Sequence, residues 1–403
     1  MNIHRILTSW LFSLCLLINS AVAFSESDRE KKDVYSVENV TSVDAKYVKD
    51  TLHLLLGKNI QGKDSLWYQA SGDQGKTWSK AVNITEGHQV EGRFHRGNDA
   101  RLAVQGSTVM AVWQSKKEGA PHNAGPMVAM LSHDAGKSWK MMPSPADWHK
   151  GAHGFFAIDA NEKAISLVWL DSRQDSGKGA AQGLQYSSSI DGGETWSPNK
   201  TLDERSCACC WNTARFIGDG GFYVMYRDKD PSDMALGRIN NNQWQRLSTV
   251  GTFDWHFQGC PHIGGGFDFD KTQQRFHATV GTGHEQHSGV FYLQSDDKGR
   301  SWSEPQRLGD ETAVHSDIAV STDGAVLVSW DHITATGFQV VYSLSNDHGM
   351  TWKPVQQVST PGYRATHPRV MAIGDRFLVM WTEGQQEKST YLKLKVISGA
   401  EHE

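Results

Sequence analysis

The sequence predicts an all-β protein, a single β-propeller of four-stranded blades. Three observations carry this. The pattern Ser-x-Asp-x-Gly-x-x-Trp occurs five times, at Ser71–Trp78, Ser132–Trp139, Ser189–Trp196, Ser295–Trp302 and Ser345–Trp352. A spacing of roughly 50 residues between such copies marks a propeller or another repeat array. Short apolar, β-branched runs precede the copies at the same spacing, and no convincing helical period appears beyond the first 23 residues.

Each element of a blade has its own sequence reason. The Asp of the pattern accepts backbone N–H bonds inside a hairpin turn, and the Gly supplies a conformation other residues avoid. The Trp packs back under the hairpin, a large apolar contribution from one residue. Middle strands are read at Val109–Trp113, Ser166–Trp169, Tyr223–Tyr226, Phe276–Val280, Val326–Trp330 and Phe377–Trp381, with Leu52–Leu56 ahead of the first copy. That makes seven blades, beginning near residues 43, 98, 153, 212, 262, 315 and 367. Six blades is the runner-up. Blade four keeps only a Trp in its turn, Asn240-Asn241-Asn242-Gln243-Trp244, and blade seven ends in Tyr391–Ile397. Val34–Val37 is expected to supply the outer strand of blade seven, which closes the ring and removes an exposed edge.

The chain ends and composition bound the setting. Met1–Ala23 reads as a secretory signal peptide: Arg5, an apolar run from Ile6 to Ile18, then Ala21-Val22-Ala23 as the cleavage site. The apolar run is short for a membrane span. Residues 24–33 are charged and read as a disordered lead-in, and residues 34–403 as the propeller. The expected location is therefore periplasmic or secreted. The formal charge is −5, near −6 once Arg5 is removed, which argues against nucleic acid as a partner.

Repeat geometry sorts the reactive side chains. Turns carrying the five patterns lie on one face of a propeller, and loops leading into the inner strands lie on the other. His153, His262, His315 and His367 stand at equivalent starts of inner strands and are expected to converge at the channel mouth. Cys207, Cys209, Cys210 and Cys260, all the cysteines beyond the signal, fall in two adjacent loops of that face, and His284 and His287 lie in a third. In an exported chain two disulfides are one expectation, Cys207–Cys210 with Cys209–Cys260. A soft-metal site is the other, because thiolates and imidazoles suit copper or zinc. His284-Glu285-Gln286-His287 lies between glycines and is a loop, not a helical metalloprotease motif. Arg101, Arg215 and Arg369 share a second repeat position, two residues further on.

The repeated turn is the Asp box, so the chain resembles bacterial sialidases and their non-sialidase relatives. That resemblance implies a six-bladed runner-up and a hub in which Arg101, Arg215 and Arg369 hold a carboxylate. It implies Asp99 as acid, Tyr342 or Tyr363 as nucleophile, and Glu285 or Glu383 as its partner. No Arg-Ile-Pro precedes Ser71, which departs from the sialidase pattern. Residues 203–266, with Cys-x-Cys-Cys, Tyr226-Arg227-Asp228 and Gly259-Cys260-Pro261, look like a group of exported sialidase-like bacterial proteins. The leading expectation is a transition-metal site, copper favoured, at the Cys/His cluster. A sialidase-type glycoside hydrolase, or a propeller binding glycan or protein through exposed Trp148, Trp211 and Trp255, are the alternatives.

Overall fold

The computed structural model describes residues 35–88, 91–174, 181–335, 337–385 and 389–399. The expected signal peptide and lead-in lie outside them. Seven four-stranded antiparallel sheets form the blades. Their inner strands are Val40–Val48, Arg101–Gln105, His153–Ala160, Thr213–Phe216, Gly265–Asp270, Ala313–Val320 and Arg364–Ile373. Tyr35–Glu38 pairs antiparallel with Thr390–Ser398, Tyr35 opposite Leu394, and so completes blade seven from the other end of the chain.

The core lies between blades. Trp113 and Leu102 of blade two pack on Leu55 and Leu66 of blade one, and Trp169 and Phe156 of blade three pack on Met110 and Leu131 of blade two. Blades one and seven share a cluster containing Leu52, Leu54, Leu378 and Leu392. Each middle strand is buried on both faces, which explains the continuous apolar runs in the sequence.

The five Asp boxes are built alike. In the first, the Ser71 hydroxyl donates to Asp73 Oδ1 at 2.7 Å and accepts Gly75 N–H at 2.8 Å, and Asp73 accepts the Thr77 N–H at 2.8 Å. The fifth repeats this with Ser345, Asp347, Gly349 and Thr351. The box glycines all stand at positive φ, +89° at Gly75 and +77° at Gly299.

Around the hub, carboxylates tie each blade to a neighbour. Asp44 Oδ2 accepts Leu102 N–H at 2.9 Å, Asp159 Oδ2 accepts Phe216 N–H at 2.9 Å, and Asp268 Oδ2 accepts Val320 N–H at 2.9 Å. Asp317 Oδ2 accepts Val370 N–H at 3.0 Å. These bonds satisfy backbone donors that the inner edge of each sheet leaves unpaired.

Candidate functional site

The three repeat-position arginines line one cavity at the hub, together with Asp44, Asp159, Asp268 and Asp317. Each has a carboxylate. Arg101 Nη1 lies 3.0 Å from Asp44, Arg215 Nη1 3.6 Å from Asp268, and Arg369 Nη2 3.8 Å from Asp99. Asp99 is buried and accepts N–H bonds from Val43 and Gly97 and from Arg96 Nε. Burial alone would raise its carboxyl, but Arg96, Arg369 and Arg101 hold it below the usual carboxylate range. A carboxylate so held is not poised to donate a proton. Tyr342 is buried with its hydroxyl on Gln356, and Glu383 is buried and accepts from Thr360 and Trp381. Tyr363 is partly buried and Glu285 exposed.

The histidines do not form a single ring. His153 is wholly buried: its Nδ1 accepts Met127 N–H at 3.0 Å, and Nε2 faces Asp171 at 3.5 Å. Burial outweighs Asp171 and lowers its pKa to about 4, so it is a neutral core residue. His315 and His367 do meet, with ring centroids 3.8 Å apart and planes inclined at 19°. Both lie where the inner strand bulges, between Ala313 and Ser316 and between Thr366 and Arg369, which re-aims their side chains inward. Buried Asp331 accepts His315 N–H, His315 Nδ1–H at 2.7 Å and His367 N–H at 2.8 Å. This fixes the His315 tautomer and leaves Nε2 as its lone-pair nitrogen. Burial, then His315, Arg96 and Arg369, press the His367 pKa well below the ordinary value. Its Nδ1 is buried with no hydrogen-bond partner among the described residues. His284 and His287 sit together in the blade-five loop, centroids 5.3 Å apart. His262 is exposed beside Cys260.

The cysteines separate as well. Cys207 ends the outer strand of blade three, Lys200–Cys207, and Cys209 and Cys210 follow in the turn toward blade four. All three are buried, and their sulfurs lie within 4.8 Å of one another. Cys207 Sγ is 2.9 Å from Cys210 Sγ and 3.9 Å from Cys209 Sγ. A disulfide needs about 2.05 Å, and all four cysteines are free, Cys260 being exposed. Neither expected disulfide is present. Thiol donors from Cys209 and Cys210 hold the Cys207 thiol down to about 3, while both of those thiols are pushed up.

A charged group also acts here, one the sequence marked only as part of the run Tyr226-Arg227-Asp228. Arg227 is 2% exposed and donates only to carbonyls, of Ile263, Ser232 and Gly281. Its guanidinium has no carboxylate partner among the described residues and stacks 5.0 Å over Trp255. A buried, unpaired cation is costly unless a negative charge lies near. The thiol cluster supplies one, since Arg227 favours the ionised forms of Cys207 and Cys210.

Trp211 joins the two clusters. It follows Cys210 directly, packs 5.5 Å from His315 and 6.0 Å from His367, and has Arg369 5.7 Å above its ring. Gly264 permits this: a Cβ there would come within 2.3 Å of the indole. Trp211 and Trp255 are therefore core residues, 4% and 5% exposed, and do not offer the ring faces expected for sugar stacking; Trp148 is partly exposed. Asp331 was missed too. The available signal was a buried carboxylate one or two residues after the Trp that ends the apolar run of a second strand, as at Asp171 and Glu383.

A sequence model described as a BNR repeat-like domain matches residues 235–392. No curated protein matches the chain in sequence. Among solved structures, a PL25 ulvan lyase bound to -[GlcA(1-4)Rha3S]- superposes with a TM-score of 0.60 at 9% identity, covering 90% of this chain and 94% of the other. The polysaccharide lyase Uly1 gives 0.52 at 8% identity, covering 89% and 90%. An intramolecular trans-sialidase from Ruminococcus gnavus gives 0.48 at 13% identity, covering 90% and 94%. These likenesses describe the fold.

Proposed function

This chain has the Asp-box, sialidase-like propeller architecture, and we propose that it uses it to bind one soft transition-metal ion, Cu(I) foremost, through Cys207, Cys209 and Cys210. The observation that carries the reading is three buried sulfurs within 4.8 Å of one another, with the Arg227 charge, which has no carboxylate partner among the described residues, favouring the ionised forms of Cys207 and Cys210. Thiolate sulfur is the donor Cu(I) and Zn(II) favour, and hard cations would want oxygen. Three thiolates beside Arg227 would hold a monovalent ion with less excess negative charge than without it. In the sialidase-type alternative a ligand carboxylate would share the charge of Arg101, Arg215 and Arg369 with the carboxylates already beside them, so the thiol cluster is preferred.

The test is anaerobic loading of fully reduced protein with Cu(I), followed by elemental analysis and competition with a Cu(I) chelator. One tightly held ion is expected, lost in the Cys207→Ser/Cys209→Ser/Cys210→Ser variant. Equal metal content in wild type and triple variant would end the reading.

A further inference from the structure

Above the thiol cluster a cavity of about 850 Å³ opens among the loops of blades two to five. Cys209 and Phe155 line its floor, and Cys260 and His262 stand on its wall. Arg93, Lys117 and Lys150 contribute three cations, against Glu118 as the one carboxylate among the described lining residues. None of the three cations has an ion pair among the described residues. Arg93 is spent on the His122 carbonyl and Gln114, and Lys117 reaches only the carbonyl of Lys150. Such a basic recess in a chain of net charge −5 is a local reversal of sign, and a concave site of one sign concentrates ligands of the other. Its volume suits one small molecule.

The wall is also arranged for ligation. His262 donates Nδ1–H to the Cys260 carbonyl at 3.1 Å, which leaves Nε2 with its lone pair. His262 holds φ +56°, a conformation unusual for a residue with a side chain. Cys260, two residues before it, is an exposed free thiol.

We infer that this cavity receives the metal ion as a small anionic chelate, carboxylate- or thiolate-bearing, and that Cys260 and His262 take the ion from it and pass it to Cys209. The inference rests on the metal reading above and adds the chemical class of the donor and the route. Each step is a ligand exchange: in the first, metal–carrier bonds break as bonds to Cys260 Sγ and His262 Nε2 form, and in the second those two bonds break as the bond to Cys209 Sγ forms. The Cys260 proton goes to the released carrier donor, the Cys209 proton goes to the Cys260 thiolate released in the second exchange, and the oxidation state of the metal is unchanged.

Two measurements test this on the reduced full-length protein. In the first, Cu(I) is supplied either as its anionic bicinchoninate complex or as its neutral-ligand acetonitrile complex, and uptake is followed by stopped flow. Lys117→Glu/Lys150→Glu should slow uptake from bicinchoninate on the order of tenfold, with uptake from acetonitrile and final stoichiometry unchanged. Cys260→Ser should slow both without lowering stoichiometry. In the second, metal-free bicinchoninate is dialysed against metal-free protein, with binding expected to wild type and not to the charge-reversed variant. Unchanged rates from bicinchoninate in the charge-reversed variant overturn the inference while leaving the thiol site standing. Failure of wild type to hold Cu(I) removes the metal reading instead, and the dialysis alone then decides whether the cavity is an anion site. Binding of an acidic protein but not of bicinchoninate also overturns it.

Discussion

At the scale of single residues, Arg227 is the cation that acts on the thiol cluster, after the neighbouring thiols themselves. It ends the second strand of blade four, Phe222–Arg227, where the apolar run Phe-Tyr-Val-Met-Tyr would lead one to expect another hydrophobe. Instead its fork reaches three carbonyls, which orient it but leave its charge whole. Replacing it by Gln removes the charge that favours a Cys207 thiolate and leaves carbonyls short of donors. We expect Arg227→Gln to move the pH midpoint of Cys207 alkylation by iodoacetamide, about 3 in the wild type, upward by roughly one unit, with little change in rate at pH 6, where the thiol is ionised in both, and to weaken Cu(I) retention against a chelator. Arg227→Lys should bring the midpoint most of the way back, because charge and not fork geometry sets it. An unchanged alkylation midpoint in Arg227→Gln would show that the sulfurs alone hold Cys207 ionised. The sequence made the cysteines visible as a cluster, since their spacing is short. It could not reveal Arg227 as their counter-charge, because that depends on the absence of a carboxylate nearby in space.

At the scale of the blade, histidines divide into those that hold strands and those that face the hub. His53 and His277 occupy equivalent places on the second strands of blades one and five, and each ring Nδ1 takes a tyrosine hydroxyl at 2.6 Å, from Tyr68 and Tyr292. Burial lowers both to about 4. His153 behaves alike. The unfolded chain binds protons at these sites below about pH 6.5, while the folded chain does not until about pH 4. Stability is therefore complete above pH 6.5 and is lost as pH falls toward 4. At about 1.4 kcal/mol per pH unit, each histidine removes about 3 kcal/mol over that window. Urea midpoints should fall steadily from pH 7 to pH 4.5, and His277→Asn should flatten the slope; a midpoint constant over this range would contradict the buried-neutral assignment. The same scale shows why the expected ring of four histidines did not form. Equivalent sequence positions meet only where strands keep equivalent register. His153 opens its strand, His315 and His367 sit inside bulges two or three residues further along theirs, and His262 falls in the loop before Gly265.

At the scale of the whole molecule, the ring was legible because the repeat is written in residues with a local job. Asp-box Ser, Asp, Gly and Trp are readable without knowing any long-range contact, and their spacing, carried through seven apolar middle-strand runs, set the blade count. The closing strand was legible for a related reason: blade seven had three strands at the C-terminal end, and Tyr35-Ser36-Val37 alternates as a strand should. The hub was legible as a place but not as a charge pattern, because each arginine's partner comes from another blade, as with Arg101 and Asp44 or Arg369 and Asp99. Closure makes those partners meet. Tyr35–Glu38 pairs with Thr390–Ser398, and Tyr35 packs 5.2 Å from the Asp-box Trp78 of blade one, so one short strand joins the last blade to the first. Deleting residues 35–38 leaves the edge of Thr390–Ser398 bare and strips an aromatic from the seam. We expect the deletion to lower the thermal midpoint, raise aggregation on heating, and loosen the seam between blades seven and one before the rest of the ring. Hydrogen exchange is the discriminating measurement: protection should be lost first in Thr390–Ser398 and Val40–Val48, while Phe222–Arg227, across the ring, keeps its protection. Uniform loss of protection would mean that the propeller opens as one unit and that no single strand acts as its clasp.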